Sequence, residues 1–413
     1  MCNDYEIMAP AGNRECLAAA LKAGADSVYF GVGKLNMRSH SSVNFRTEDL
    51  RYIAGECEAA GAKAYLALNT VMYDCDLGEM KKTVDEACNA GISAIIASDV
   101  AAMQYARRQG MEVHLSTQLN ISNIESLKFY SQFADVAVLA RELSLEQVKH
   151  ITDAISLEGV CGPSGKPVRI EMFCHGALCM AISGKCYMSL HNQGRSANRG
   201  ECMQVCRRSY TLTDSETGEQ IEVDNKYLMS PKDLKTIHFL NKMADAGVKV
   251  FKIEGRARGP EYVATVTKCY KEALQAYMDG NFDEEKIAGW DERLAKVFNR
   301  GFWDGYYLGQ RLGEWSSKYG SQATERKQYA GKVTNYFKKI GVAECLLQTG
   351  EISVGDKILF TGETTGAEYC TVTGLHDNNG NPAETVNKGE LFAVKTEKPV
   401  RRNDKVYKII QNE

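Results

Sequence analysis

Eight short apolar segments run through residues 5–254, most of them followed by a segment of helical period. The expected strands are Tyr5–Ala9, Ser27–Val32, Lys63–Asn69, Ala94–Asp99, Glu112–Leu119, Val136–Ala140, Val168–His175 and Val248–Glu254. Expected helices include Arg14–Ala23, Thr47–Ala60, Asp76–Ala90, Ala101–Gln109, Ile124–Phe133 and Leu145–Ile155. Gly24, Gly61, Gly91 and Gly110 stand just past helix ends, where a left-handed residue closes the last turn. Strand–helix alternation implies a parallel sheet with right-handed crossovers. Eight such units predict an α/β fold, a (β/α)8 TIM-like barrel. The alternative, an open doubly wound sheet, lacks its dinucleotide signature, since Gly31-Val-Gly33 is a fragment of G-x-G-x-x-G.

One connection breaks the rhythm. Between the seventh and eighth strands, about 176–247, the chain makes a long excursion containing a Gly- and Cys-rich stretch and a polar hairpin-like run, Tyr210–Tyr227. Long excursions are functional or disordered, and one leaving a barrel strand at its C-terminal end opens on the face where active sites lie. From about Gln328 the pattern becomes short strands separated by turn clusters such as Asp377-Asn-Asn-Gly. The expected domains are a barrel with its insertion over 1–324 and a small C-terminal all-β barrel over 325–413, with Asn299–Thr324 as a connecting segment.

The 413 residues carry a net charge of −3. That excludes a strong global attraction for nucleic acid and leaves room for a local basic patch. No apolar run approaches the ~18 residues of a membrane span. The start, Met1-Cys-Asn-Asp-Tyr-Glu, lacks the basic and apolar regions of a signal peptide. A cytoplasmic, reducing location is therefore expected, with the 14 cysteines buried, catalytic or metal-binding rather than disulfide-bonded.

Five of those cysteines fall within 174–206, spaced C-x4-C-x6-C-x15-C-x3-C. Thiolates select soft metals, and four suit zinc or an iron–sulfur cluster. A zinc ribbon prefers two tight knuckles, and here only Cys202/Cys206 forms one. The irregular spacing leans towards a [4Fe–4S] cluster; free thiols are the bland alternative. Strand alternation places Arg169, Glu171, Phe173 and His175 on the barrel interior and Ile170, Met172 and Cys174 against the helices. Cys174 is therefore read as a core residue, and Cys179, Cys186, Cys202 and Cys206 as the metal ligands.

The same alternation brings polar groups to the active face: Lys252, Glu254 and Arg256 from strand 8, His114, Ser116, Gln118 and Asn120 from strand 5, Tyr65 and Asn69 from strand 3, and Asp99 and Arg141 after strands 4 and 6. So many polar groups inside a barrel either satisfy one another or line a polar pocket. Glu171, His175 and Glu254 are the acid/base candidates. Glu254 can alternatively form a structural pair with Lys252 or an arginine. Arg38, Asn69, Gln118, Arg141 and Arg256 are the substrate-binding candidates; the arginines suit carboxylates or phosphates. Residues 185–208 hold Lys185, Arg195, Arg199, Arg207 and Arg208 against Glu201, a local +4. Such a patch can contact phosphates or offset the charge of thiolates.

The stretch Glu171-Met-Phe-Cys-His-Gly-Ala-Leu-Cys179-Met-Ala-Ile-Ser-Gly184-Lys-Cys186-Tyr-Met-Ser189 resembles the signature of the collagenase-like "U" peptidase family, number thirty-two. Ala9-Pro-Ala-Gly-Asn, Asn36-Met-Arg38, Ser116-Thr-Gln-Leu-Asn120, Leu228-Met-Ser-Pro-Lys-Asp-Leu and Lys252-Ile-Glu-Gly-Arg256 extend the resemblance over about 5–310. The C-terminal domain is similar to the second domain of elongation factor Tu. The resemblance implies oxygen-independent hydroxylation with a [4Fe–4S] cluster on four cysteines, Cys206 being the least constrained of them. It implies tRNA wobble uridine (U34) as target, prephenate, a small dicarboxylate, as oxygen donor, and an electron donor still to be identified. Other branches act on ribosomal RNA or quinone precursors. The alternatives are a peptidase, as the family name suggests, and a non-catalytic RNA-binding module. No H-E-x-x-H motif supports a peptidase, and Cys174 and His175, adjacent in a strand, point to opposite faces.

Overall fold

The computed structural model of the chain describes residues 4–40, 43–208, 210–223, 229–316 and 320–412. Eight parallel strands form its centre: β1 (Glu6–Pro10), β2 (Ser27–Gly31), β3 (Lys63–Leu68), β4 (Ala94–Ala97), β5 (Glu112–Leu115), β6 (Val136–Val138), β7 (Arg169–Gly176) and β8 (Val248–Ile253). Each of β1 to β7 pairs with the next, and β8 pairs with both β7 and β1, so the barrel closes. Every expected strand is present. Several end early at the C-terminal side; the fifth stops at Leu115, and Thr117–Leu119 form a 3-10 turn.

Local chemistry places the helices. The Asn13 side chain accepts from the Cys16 amide at 2.8 Å to start α1 (Arg14–Lys22). Ser144 and Gln147 form a capping box at α6 (Leu145–Glu158). Both satisfy amides that have no partner within the helix. Gly24, Gly61, Gly91 and Gly110 all have positive φ, as expected. Inside the barrel, Met8, Tyr29, Tyr65, Ile96, Val136 and Val250 form a small apolar cluster, separate from the larger core between strands and helices.

The β7–β8 ladder contains a bulge. Lys252 pairs with Phe173 and Ile253 with His175, so Cys174 is the extra residue. A bulge breaks simple alternation, and here it corrects the reading of His175. Glu171 and Phe173 face inward. His175 instead turns out against the helix Pro260–Met278, its Nδ1 3.3 Å from the Tyr270 hydroxyl and its ring beside Tyr262, Tyr270 and Phe302. Burial, with help from Lys235 and Arg258, pushes its pKa down to about 3. A neutral, sealed imidazole is not an acid/base group for the mouth. Cys174 is fully buried, as expected of a core residue.

The excursion after β7 contains a helix, Met188–Gln193, and a hairpin, Tyr210–Thr213 with Gln220–Val223. Residues 224–228, the end of the expected hairpin-like run, lie outside the described residues. Strand Asp233–Lys235 then pairs antiparallel with the end of β7 and parallel with Phe302–Trp303. The segment read as a connector therefore extends the barrel sheet.

From Glu325 an eight-stranded antiparallel sheet surrounds its own core of Val333, Cys345, Ile358, Phe360, Phe392 and Val406. Among the described residues no ladder joins its two end strands. The hairpin Lys357–Gly362 with Gly366–Thr371 packs against α1 and against α8 (Pro260–Met278). A Cβ on Gly366 would come within 2.7 Å of the Ala19 amide nitrogen, and its φ is +72°. Ion pairs Lys327–Glu261 at 2.7 Å and Lys405–Glu15 at 3.1 Å cross the same junction. No helix among the described residues is long and apolar enough to cross a membrane.

Gly366→Ala is expected to destabilise the chain by about 1–3 kcal/mol through backbone strain and the clash with α1. An unchanged urea midpoint would show that the junction tolerates a side chain there.

Candidate functional site

Residues at the C-terminal ends of the barrel strands line one cavity of about 210 Å³. Tyr29 comes from β2, Phe173 from β7, and Arg38, Asn69, Ser116, Gln118, Arg141, Glu254 and Arg256 from the loops that follow strands. The excursion supplies the facing wall, which includes Cys179, Cys186, Cys202 and Cys206. The five expected substrate-binding residues, Glu254 and the four expected ligands therefore share one cavity.

The Asn69 amide donates to Ser116 Oγ at 3.0 Å and to Gln118 Oε1 at 3.3 Å. Arg141 Nη1 donates to the Ala177 carbonyl at 3.0 Å, and its guanidinium lies 3.7 Å above the Phe173 ring. Arg256 Nη1 donates to Asn36 Oδ1 at 3.1 Å. That pair needs Gly31: a Cβ there would approach both the Arg256 guanidinium and the Asn36 amide to 2.6 Å.

Among the described residues Glu254 is the only carboxylate on the cavity wall, and Arg38 donates to its Oε1 from Nε at 3.1 Å and Nη2 at 2.9 Å. Burial would raise its pKa. The charges of Arg38, Arg141 and Arg256 outweigh that and hold it down to about 2. Glu254 is thus a fixed anion that positions arginines, the structural pairing weighed from sequence, and not a proton donor near neutrality. Burial also lowers Arg256 to about 10, with Tyr29 and Glu254 working against the shift. Arg207, Arg258, Arg300 and Lys252 add further positive charge to the wall. Arg141 Nε and Arg256 Nε are buried donors with no acceptor among the described residues. Unpaired buried donors are costly, and an anion is the kind of group whose lone pairs would satisfy them.

Glu171 does not line the cavity. It is fully buried beneath it, with Oε1 2.6 Å from Lys252 Nζ and Oε2 3.9 Å from His114 Nδ1. Glu171 faces inward, as alternation along β7 predicts, but it lies a layer too low to meet a ligand as an acid/base group, and Lys252 is the member of the pair that reaches the cavity. Asp99 also does other work, capping the helix Val100–Arg108. Asn120 pins the insertion by donating to the Ser183 carbonyl at 3.1 Å.

Cys179 is exposed, and Cys186, Cys202 and Cys206 are half-buried. Burial raises the Cys206 pKa, Arg207 opposes it, and the charges of Cys179, Cys202 and Cys186 raise it further. The four sulfurs therefore share one electrostatic neighbourhood. Among the described residues no three His, Cys, Asp or Glu side chains are gathered around a single-ion position. An iron–sulfur cluster takes its cysteine ligands on separate irons, so its ligands surround a larger body than one ion. Of the local basic patch, Arg199 is tied to Asp76 and the Val71 carbonyl, and Arg207 donates to Ser230, Pro231 and Leu178. Lys185, Arg195 and Arg208 remain exposed.

Tyr29, Asn36, Arg258 and Arg300 also belong to the site, and the sequence pattern does not single them out as such. Alternation along β2 marks Tyr29, whose hydroxyl donates to the Ile253 carbonyl at 2.9 Å. Asn36 lies in the Asn36-Met-Arg38 stretch. Nothing marks Arg300, which arrives from the apparent connector.

Fold and site together define a barrel protein with a thiol-rich, arginine-lined mouth. The model of Peptidase family U32 matches residues 12–317, and the chain belongs to that family. It is 59% identical to "Collagenase" of Porphyromonas gingivalis (strain ATCC BAA-308 / W83), over 100% of this chain and 99% of that one. It is 32% identical to "tRNA hydroxylation protein P1" of Bacillus subtilis (strain 168), over 91% and 88% respectively. Among solved structures, that of the U32 peptidase Mk0906 is similar at 12% identity and a TM-score of 0.39, covering 61% of this chain and 93% of that one.

Glu254→Gln should destabilise the protein by about 3 kcal/mol at pH 7, because buried arginines lose their counter-charge. The folded pKa lies below the ordinary 4.5, so this contribution is complete above pH 4.5 and lost as pH falls towards 2. Urea midpoints of both proteins across that range test it. A difference independent of pH would contradict the assignment.

Proposed function

We propose that the chain is an iron–sulfur protein of RNA modification, hydroxylating wobble uridine of tRNA without molecular oxygen. The observation that carries this reading is the single cavity shared by four cysteines and an excess of buried arginine. Cys179, Cys186, Cys202 and Cys206 would hold a [4Fe–4S] cluster, and the donor set suits it: four thiols on one wall, the carboxylate of Glu254 engaged by Arg38, and Arg38 and Arg207 close enough to feel the Cys179 charge. When bound, the cluster would supply one-electron chemistry. Arg141 and Arg256 offer their unpaired Nε donors to the carboxylates of a small oxygen donor such as prephenate, and Glu254 fixes Arg38 beside them. Asn69 and Gln118 line the same cavity and offer amides to the ligand.

A second reading, a peptidase, is favoured by the 59% identity to a relative named Collagenase. The geometry offers it little. Cys174 and His175 are buried away from the cavity, and covalent proteolysis needs a nucleophile beside an oriented base. The hydroxylation name is carried by a relative at 32% identity, which is why the two readings need a direct test.

Mass spectrometry of tRNA nucleosides from a deletion strain separates them. Loss of 5-hydroxyuridine derivatives, restored by the wild-type and Cys174→Ala genes and not by Cys179→Ala, is expected. Unchanged tRNA together with gelatin hydrolysis by the purified protein would establish the peptidase instead.

A further inference from the structure

A second cavity, about 500 Å³, lies on the flank of the barrel, where the all-β domain meets α1 and α8. Its charge is one-sided. Lys22, Lys268, Arg293, Lys296, Lys357 and Lys398 line it against two carboxylates, Glu325 and Glu368. Those two are engaged, with Lys357 at 3.0 Å and Lys398 at 3.2 Å. Arg293 and Lys296 pair with Glu272 and Glu292, which do not line the cavity.

Lys22 and Lys268 are left. Lys22 Nζ donates to a backbone carbonyl, that of Thr365, at 3.1 Å. Among the described residues no carboxylate pairs with either lysine. Burial lowers the Lys22 pKa; Glu368 works against this, and Arg401 and Lys398 work with it. Cations crowded together along one groove repel one another and are stabilised by an anion from outside. Lysine meets phosphate as a movable point charge, and a wall of lysines drawn from helices and strands of both domains suits several phosphates better than one planar carboxylate.

The groove is also within reach of the mouth. Helix α8 begins at Pro260, just past Arg258 on the wall of the first cavity, and Lys268 follows about 12 Å further along its axis at ~1.5 Å per residue.

We propose that this groove binds phosphate groups, arrayed as along an RNA strand that continues from the mouth down the seam between the two domains. The RNA source rests on the function proposed above; a free polyphosphate carries the same chemistry and is the other source.

The test uses the full chain and two matched double variants. Lys22→Gln/Lys268→Gln removes the uncompensated pair; Lys82→Gln/Lys149→Gln removes the same charge from exposed sites on other helices. Unchanged melting temperatures establish folding. Binding of tRNA from the deletion strain is followed by fluorescence anisotropy from about 50 to 200 mM salt, and binding of inorganic tripolyphosphate by calorimetry. The groove variant should bind tRNA about tenfold more weakly, with a salt slope reduced by about 1–2, while the control changes little. It should also lose tripolyphosphate binding. Tripolyphosphate bound through the groove, with no tRNA binding by the wild type, keeps the groove and removes the RNA reading. Groove and control variants that behave alike towards both probes, or a wild type that binds neither, would overturn the proposal.

Discussion

The closure of the barrel between β7 and β8 decides what the rest of the molecule can do. In a strand, a shift of one residue exchanges the two faces. The bulge at Cys174 makes that exchange once, at the top of β7. Below it, Glu171 and Phe173 point inward, opposite Lys252. Above it, His175 leaves the interior and joins the aromatic side chains of α8, while its carbonyl accepts from the Glu254 amide at 2.8 Å. The chain then departs into the excursion that carries four cysteines back over the mouth. One irregular ladder thus sets the floor, the rim and the lid of the same cavity.

Charge is layered on that frame. Glu171 is sealed beneath the cavity and balances Lys252, which reaches up to the wall. At the rim the balance fails: one carboxylate, Glu254, stands among Arg38, Arg141 and Arg256, and the buried Nε atoms of Arg141 and Arg256 remain unpaired. Buried cations need a counter-charge. Glu254 supplies part of it, and thiolates and an anionic ligand are the groups whose chemistry completes it. The positive charge that the net total of −3 conceals is therefore concentrated at the mouth and, separately, along the domain seam.

Much of this could be read in the residues. The strand periods, the glycine caps and the switch to short strands near residue 325 are local signals, so the barrel and the antiparallel domain follow from them. Asn69, Gln118, Arg141 and Arg256 follow too, because each stands just past the C-terminal end of a barrel strand, and Arg38 lies in the loop after β2. What failed was tertiary. Alternation assigns Glu171 the right face and says nothing of its depth, and it misassigns His175 because a bulge leaves no mark in composition. Arg300 and the strand Phe302–Trp303 come from a stretch whose short apolar content resembles a connector. The seam groove draws its lysines from both domains and has no local pattern at all.

On the reading proposed above, the mouth is the seat of an iron–sulfur cluster on Cys179, Cys186, Cys202 and Cys206. The decisive assay is of iron and acid-labile sulfide in protein purified without oxygen. Brown protein with about four of each per chain is expected, falling sharply in Cys179→Ala and holding in Cys174→Ala. Colourless protein containing one zinc, or iron unaffected by Cys179→Ala, would contradict it.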